Sequence, residues 1–142
     1  MKIIGCGNPD RGDDRAGVLV AERLRGFGID AEIHTGDPLA LLERWSSDED
    51  VIVVDAIMTG AAAGTVRVWD CRPQHAASDA SVSSHGFDIG KAIDLARALE
   101  RLPARLRVYG IEGRQFDAGA NTSPEVELAI EVVVRQITTE AL

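Results

Sequence analysis

Three side chains of this chain have the types and positions that metal-assisted chemistry requires. Asp14 belongs to an acidic pair in a turn after the first predicted strand, Asp55 ends a strongly apolar strand, and His85 precedes a predicted helix. Together they supply one imidazole and two carboxylates, a ligand set suited to a borderline divalent ion with open coordination positions. Since α/β sheets bind ligands at the carboxyl ends of their strands, we expect the three residues to converge on one cleft there.

Each of these residues also has a structural explanation. An aspartate at the start of a helix commonly caps it, which we expect of Asp13; two adjacent caps are redundant, so Asp14 is the better chemical candidate. Asp55 could bond nearby backbone amides in a turn, although Ala56–Ile57 continues apolar beyond it and a buried carboxylate is costly without a partner. His85, taken alone, would be a cap or a surface residue.

The other potentially reactive side chains are weaker candidates. Cys6 could be a thiol nucleophile with His85 as its base, but no neighbouring cation in the sequence would lower its pKa. A small buried residue between two glycines is the favoured interpretation of Cys6. His34 and His75 stand in polar surroundings and are expected at the surface.

The glycine-rich turn after the first strand does not match a nucleotide-binding motif. Gly5 and Gly7 would need a third glycine at position 10, where the chain has Asp10, whose carboxylate would repel a pyrophosphate. No Gly-Lys-Ser/Thr sequence of a phosphate loop is present either.

Five segments have the composition of strands. Three are apolar without strict alternation, as expected of strands covered on both faces, and two alternate better and should lie nearer an edge. The first group is Ile3–Cys6, Val51–Ile57 and Leu106–Ile111, and the second is Ala31–Thr35 and Thr65–Asp70.

Three amphipathic segments and one shorter segment are predicted as helices. Their apolar residues recur at helical spacing, and Ser123 and Pro124 supply an N-cap and a first helical position for the last one. The helical stripes run through Ala16–Phe27, Ile89–Leu99 and Val126–Ile137, and the shorter segment is Pro38–Arg44.

This alternation of strands and helices predicts a three-layer α/β/α sandwich with about five mostly parallel strands. The connection at 59–64 is too short for a crossover helix, so we expect Val51–Ile57 and Thr65–Asp70 to pair antiparallel. No linker or repeat divides the 142 residues, which predicts a single domain spanning 1–142.

The composition excludes several kinds of partner. A net charge of −8 disfavours a nucleic-acid backbone or an anionic membrane. No apolar run is long enough to span a bilayer, and Cys6 and Cys71 lack metal-type spacing. We therefore expect a soluble, cytoplasmic protein, and a monomer.

Separated stretches of the chain resemble the hydrogenase maturation endopeptidases, which process the large subunit of nickel–iron hydrogenases. The resemblance covers about Lys2 to Ile137. Its motifs are Gly5-x-Gly7-Asn8 with Gly12-Asp13-Asp14-x-x-Gly17, Val53-Val54-Asp55-Ala56, Ser83-Ser84-His85-Gly86, and Tyr109-Gly110-Ile111-Glu112-Gly113 followed by Ser123-Pro124-Glu125-Val126.

The resemblance implies an endopeptidase that removes a C-terminal extension from the large-subunit precursor after nickel insertion. Asp14, Asp55 and His85 match the family's nickel-contacting positions, with the nickel supplied by the substrate. Two departures stand out: Arg15 replaces a small or neutral residue and is expected to point to solvent, and Ile33–Asp37 keeps one glycine of an Asp-Gly-Gly-Thr type sequence. The second departure concerns substrate choice more than reaction type.

The sequence leaves the mechanism and two other functions open. Hydrolysis could use a metal-bound water, or an aspartate such as Asp14 acting as base towards water while the substrate's nickel serves for recognition. A nickel- or cofactor-binding maturation chaperone could use the same ligands without cleavage. A metal-dependent hydrolase of small amides is a third possibility.

Overall fold

The computed structural model describes residues 1–71 and 88–141, in which five strands lie between two layers of helices. The strands are β1 (Lys2–Cys6), β2 (Glu32–His34), β3 (Asp50–Ile57), β4 (Val66–Asp70) and β5 (Arg105–Glu112). The α-helices are α1 (Ala16–Gly26), α2 (Asp88–Ala98) and α3 (Pro124–Ala141), and two 3-10 helices cover Gly12–Arg15 and Pro38–Glu43.

The strand order in the sheet is β2-β1-β3-β5-β4, with β4 the one antiparallel member. The three strands predicted from apolar runs without strict alternation occupy the centre, and the two strands that alternate better form the edges. This follows from burial, because β3 and β5 are covered on both faces whereas β4 is partly exposed along its length. The predicted fold class, a mostly parallel α/β sheet with one antiparallel strand, is confirmed.

The partner of the antiparallel strand was predicted wrongly. β4 pairs with β5, not with β3, and β5 lies between them. The connection after β3 crosses the carboxyl end of β5, where Gly64 N–H donates to Glu112 O at 2.8 Å and Gly113 N–H donates to Ile57 O at 3.0 Å. β5 is buried on both of its faces and therefore takes the central position beside β3. The more exposed β4 lies at the edge of the sheet.

Alternate residues of the sheet face two separate apolar layers. Ile52 and Val54 of β3 pack in the cluster that contains α1 and α3, whereas Val51 and Val53 pack in the cluster that contains α2 and the second 3-10 helix. The sheet is thus covered on both sides, as the predicted three-layer sandwich requires. No helix in the described ranges is long and apolar enough to cross a membrane.

The predicted helices are present, but the last residue assigned to the apolar stripe of α1 and of α2 is exposed. Leu99 follows the end of α2 at Ala98 and is 53% exposed. Ala16, Val20 and Leu24 are fully buried, but Phe27, assigned to the same stripe, is 67% exposed. The helix ends at Gly26, so Phe27 leaves the helical path before it can turn towards the core. The segment predicted as a short helix at Pro38–Arg44 forms the 3-10 helix Pro38–Glu43.

Candidate active site

The glycines of the first motif let α1 begin directly against the sheet. A Cβ on Gly5 would lie 2.1 Å from the carbonyl oxygen of Gly17, and one on Gly17 would lie 2.3 Å from the carbonyl oxygens of Cys6 and Val54. Gly7 has φ +145°, and its Cβ would lie 1.9 Å from the carbonyl oxygen of Asp14. These glycines serve backbone packing, and the packing places Asp14 beside the end of β1.

Asp14 lies in the 3-10 helix between β1 and α1 and is partly buried. Its Oδ2 accepts a hydrogen bond from the backbone N–H of Asn8 at 3.2 Å. Both residues line a cavity of about 140 Å³ at the carboxyl end of the sheet. The remaining lining residues are Cys6, Gly7, His34, Thr35, Gly36, Pro38, Leu41 and Ile89.

Asp55 lies in β3, on the strand next to Cys6. Gly5 pairs with Val54 and Cys6 with His34, so Cys6 and Asp55 stand side by side one residue further along β1 and β3. The Oδ1 of Asp55 accepts from the N–H of Ala56 at 2.9 Å, within the strand and not in a turn.

Asp14 and Asp55 both act electrostatically on the thiol of Cys6. Burial raises the pKa of this thiol well above its ordinary value, and the negative charges of Asp55 and Asp14 raise it further, while Arg44 opposes them. Both carboxylates are thus close enough to Cys6 to act on its thiol, and both lie at the carboxyl end of the sheet. The thiol stays protonated at neutral pH, which argues against the interpretation of Cys6 as a nucleophile.

His85, the third residue of the predicted ligand set, lies outside the described residues, as does His75. Within residues 1–71 and 88–141, no group of three or more histidine, cysteine, aspartate or glutamate side chains is arranged to hold a metal ion. Of the predicted ligand set, the described residues thus include Asp14, which lines the cavity, and Asp55, which is on the neighbouring strand but is not one of the lining residues.

Asp13 does not cap α1, contrary to our expectation. Its buried carboxylate accepts hydrogen bonds from the N–H groups of Arg114, Gln115 and Ser123 at 2.6–2.9 Å and from the Ser123 Oγ at 2.8 Å. Burial raises the pKa of Asp13, but these bonds outweigh it and leave the pKa below its ordinary value. Asp13 therefore fastens the turn that carries Asp14 to the loop between β5 and α3.

Two further side chains near this turn differ from our expectations. Arg15 does not simply point to solvent, because its guanidinium donates to the carbonyl oxygen of Ala120 at 3.0 Å. His34, expected at the surface, is 6% exposed. Its side-chain partner Arg44 lies ten residues away, directly after the second 3-10 helix, so neighbouring residues in the sequence gave no signal of its burial.

Glu112 is a buried carboxylate for which the sequence predicted no separate role. It accepts from the backbone N–H of Thr59 at 2.9 Å and from the Thr59 hydroxyl. These bonds hold the loop that follows the end of β3. This loop lies at the carboxyl end of the sheet, as the cavity does. The only sequence signal for Glu112 was its place in the motif that closes β5.

Comparison with known proteins assigns a family to this arrangement. The family model of the HycI hydrogenase maturation protease matches residues 35–140. The chain therefore belongs to the hydrogenase maturation protease family, a family of peptidases. A comparison with curated proteins found no match.

Solved structures of hydrogenase maturation proteases share the fold. HybD from Thermococcus kodakarensis superposes with a TM-score of 0.77 at 23% identity, over 100% of both chains. HybD from E. coli gives 0.72 at 22% identity, over 99% of this chain and 91% of that one. HycI from T. kodakarensis KOD1 gives 0.71 at 24% identity, over 96% and 88%.

Proposed function

We propose that the protein is an endopeptidase that removes a C-terminal extension from the nickel-loaded large-subunit precursor of a nickel–iron hydrogenase. Membership of the maturation protease family supports this proposal. The observation that carries it is that Asp14 lines a cavity at the carboxyl end of the sheet, with Asp55 on the neighbouring strand beside Cys6.

Asp14 and Asp55 offer carboxylate oxygens at the same end of the sheet, and such oxygens can bind a borderline divalent ion together with an imidazole. A divalent ion carried by the substrate would bind these carboxylates and so position the precursor. In this proposal His85 is the third ligand. Three protein ligands leave coordination positions of the ion open for ligand atoms of the precursor.

Hydrolysis of the precursor needs one water molecule and one proton acceptor. We propose that Asp14 takes a proton as the water oxygen bonds to the scissile carbonyl carbon. The proton passes to the amide nitrogen as the C–N bond breaks, which yields a carboxylate and an amine. Positioning by the substrate's nickel lowers the barrier, since well-oriented groups can supply about 7–11 kcal/mol. Water activated on the metal is the competing route.

The test is processing of purified precursor, measured by mass spectrometry, with and without nickel. Wild type should shorten the nickel-loaded precursor only. Asp14→Asn should slow the reaction at least about a hundredfold, because the amide cannot accept the proton. Asp30→Asn makes the same change of charge at an exposed residue near the amino ends of the strands, on the opposite side of the sheet from the cavity. This variant should process the precursor normally.

The other outcomes separate the alternatives. Efficient cleavage of nickel-free precursor would contradict recognition through the metal. An unchanged precursor mass together with a stable complex would indicate the maturation chaperone, and turnover of unstructured amides the general hydrolase. Full activity of Asp14→Asn would show that the reaction is carried by other residues.

A further inference from the structure

His34 is a buried histidine with both ring nitrogens in hydrogen bonds. Its Nδ1 lies 2.8 Å from the Nε of Arg44, and its Nε2 lies 2.8 Å from the carbonyl oxygen of Asp37. A guanidinium can only donate, so Nδ1 must accept, and the hydrogen of the neutral ring is on Nε2, which donates to Asp37.

Arg44 is itself held in place from two sides. Its guanidinium pairs with Glu32 at 3.1 Å, and its carbonyl oxygen accepts from the Lys2 ammonium. The bonds thus run from Glu32 through Arg44 and His34 to the backbone of Asp37. We call these four residues the His34 tether.

The segment between His34 and Asp37 forms one wall of the cavity that Asp14 lines. Thr35 and Gly36 are both lining residues, and the segment is fixed at its far end by the Asp37 carboxylate, which accepts from Leu39 N–H at 2.9 Å. At its near end, the backbone oxygen of His34 accepts from Gly7 N–H at 3.2 Å. The hydrogen bond from His34 Nε2 to the carbonyl oxygen of Asp37 connects the two ends of this segment.

We propose that His34 is a positioning residue that holds the Thr35–Gly36 wall against the Asp14 side of the cavity, and so sets the fit of the precursor segment beside the scissile bond. This rests on the proposed function. With the wall free to move, the precursor must order it on binding, and affinity falls. The chemical step at Asp14 is not altered, so the effect belongs in KM and not in kcat.

Two substitutions separate the two bonds of the imidazole. The amide of asparagine ends near the Nδ1 position, so His34→Asn can accept from Arg44 but cannot reach Asp37. The amide of glutamine extends to the Nε2 position, so His34→Gln can still donate to Asp37. Both variants replace the ring with an uncharged amide, which makes them controls for each other.

The expected result is a rise in KM on the order of tenfold for His34→Asn, with kcat within about twofold of wild type. His34→Gln should have a KM within about threefold of wild type. Equal KM values for His34→Asn and wild type would overturn the proposal, as would a loss in kcat alone.

A second measurement does not depend on catalysis. Amide hydrogen exchange at residues 35–37, followed by NMR, should be faster in His34→Asn than in wild type and His34→Gln. Equal exchange in all three proteins would overturn the tether. Failure of wild type to cleave any precursor, with the exchange difference present, would instead contradict the proposed function alone.

Discussion

The carboxylate of Asp13 accepts two hydrogen bonds from Ser123, one from its backbone N–H at 2.6 Å and one from its Oγ at 2.8 Å. Ser123 directly precedes α3, and its carbonyl oxygen accepts the first bond of that helix from Glu127 N–H at 3.0 Å. The turn that carries Asp14 and the start of α3 are therefore joined through one buried carboxylate.

Asp13→Asn should destabilise the fold by about 2–4 kcal/mol. An amide has one acceptor oxygen, so its NH₂ group must face at least one of the N–H or O–H donors that surround Asp13. The free energy of unfolding from urea titration measures the loss. Asp117→Asn, an exposed residue of the same loop, is the matched control and should change stability little. Equal stability of the two variants would contradict this role of Asp13.

The Asp13 carboxylate also makes a contribution to the stability of the fold that is lost in acid. The pKa of Asp13 is below its ordinary value of 3.8 in the folded protein, so this stabilisation is complete above the unfolded pKa. It is lost as pH falls from about 4 through the folded pKa. Unfolding of wild type and Asp13→Asn at pH 7, 4 and 3 should give a difference that shrinks towards the lowest pH. A constant difference would mean that charge plays no part.

The sequence predicted most of the fold because the fold depends on local apolar patterns. The apolar run at Val51–Ile57 lacks strict alternation, which predicts a strand covered on both sides, and β3 is at the centre of the sheet. The partner of β4 was missed because pairing depends on which strand fills the space beside β3. The strand that occupies this space is β5, which begins some thirty-five residues after β4 in the chain.

The candidate site was less accessible to prediction, since the roles of its polar residues are set by distant partners. Asp13 and Asp14 are adjacent and alike in the sequence, yet Asp13 bonds to residues about a hundred positions away while Asp14 lines the cavity. His34 was placed at the surface for the same reason. The roles of Asp14, Asp55 and His85 in catalysis and nickel binding stay predictions.

Both cysteine thiols should be unreactive in the native protein. Burial is the main cause that raises the pKa of Cys6 well above its ordinary value and that of Cys71 to about 11. Iodoacetamide at pH 8 should therefore leave the folded mass unchanged, whereas in urea both thiols should be alkylated, because unfolding restores an ordinary pKa near 8.5. Intact mass spectrometry distinguishes the two states. Rapid alkylation of folded Cys6 would restore the interpretation that it is a nucleophile.

Gly7→Ala should harm both the fold and the site, because the backbone at Gly7 has φ +145° and a Cβ there would lie 1.9 Å from the carbonyl oxygen of Asp14. Gly28→Ala is the matched control, since Gly28 has φ +80° but no atom within 4 Å of the added Cβ. Both alanines must adopt a positive φ, which costs about 1–2 kcal/mol in the left-handed region that Gly28 is nearer to. Only Gly7→Ala must also move the turn that carries Asp14.

We therefore expect Gly7→Ala to lose at least about 2 kcal/mol more than Gly28→Ala in urea unfolding. The fraction that remains folded should process precursor more slowly, since a displacement of about 1 Å at a catalytic group can cost a hundredfold in rate. Gly28→Ala should process at the wild-type rate per folded molecule. If the two variants lose the same stability and keep the same rate, the close approach of Gly7 to Asp14 does not position the Asp14 carboxylate.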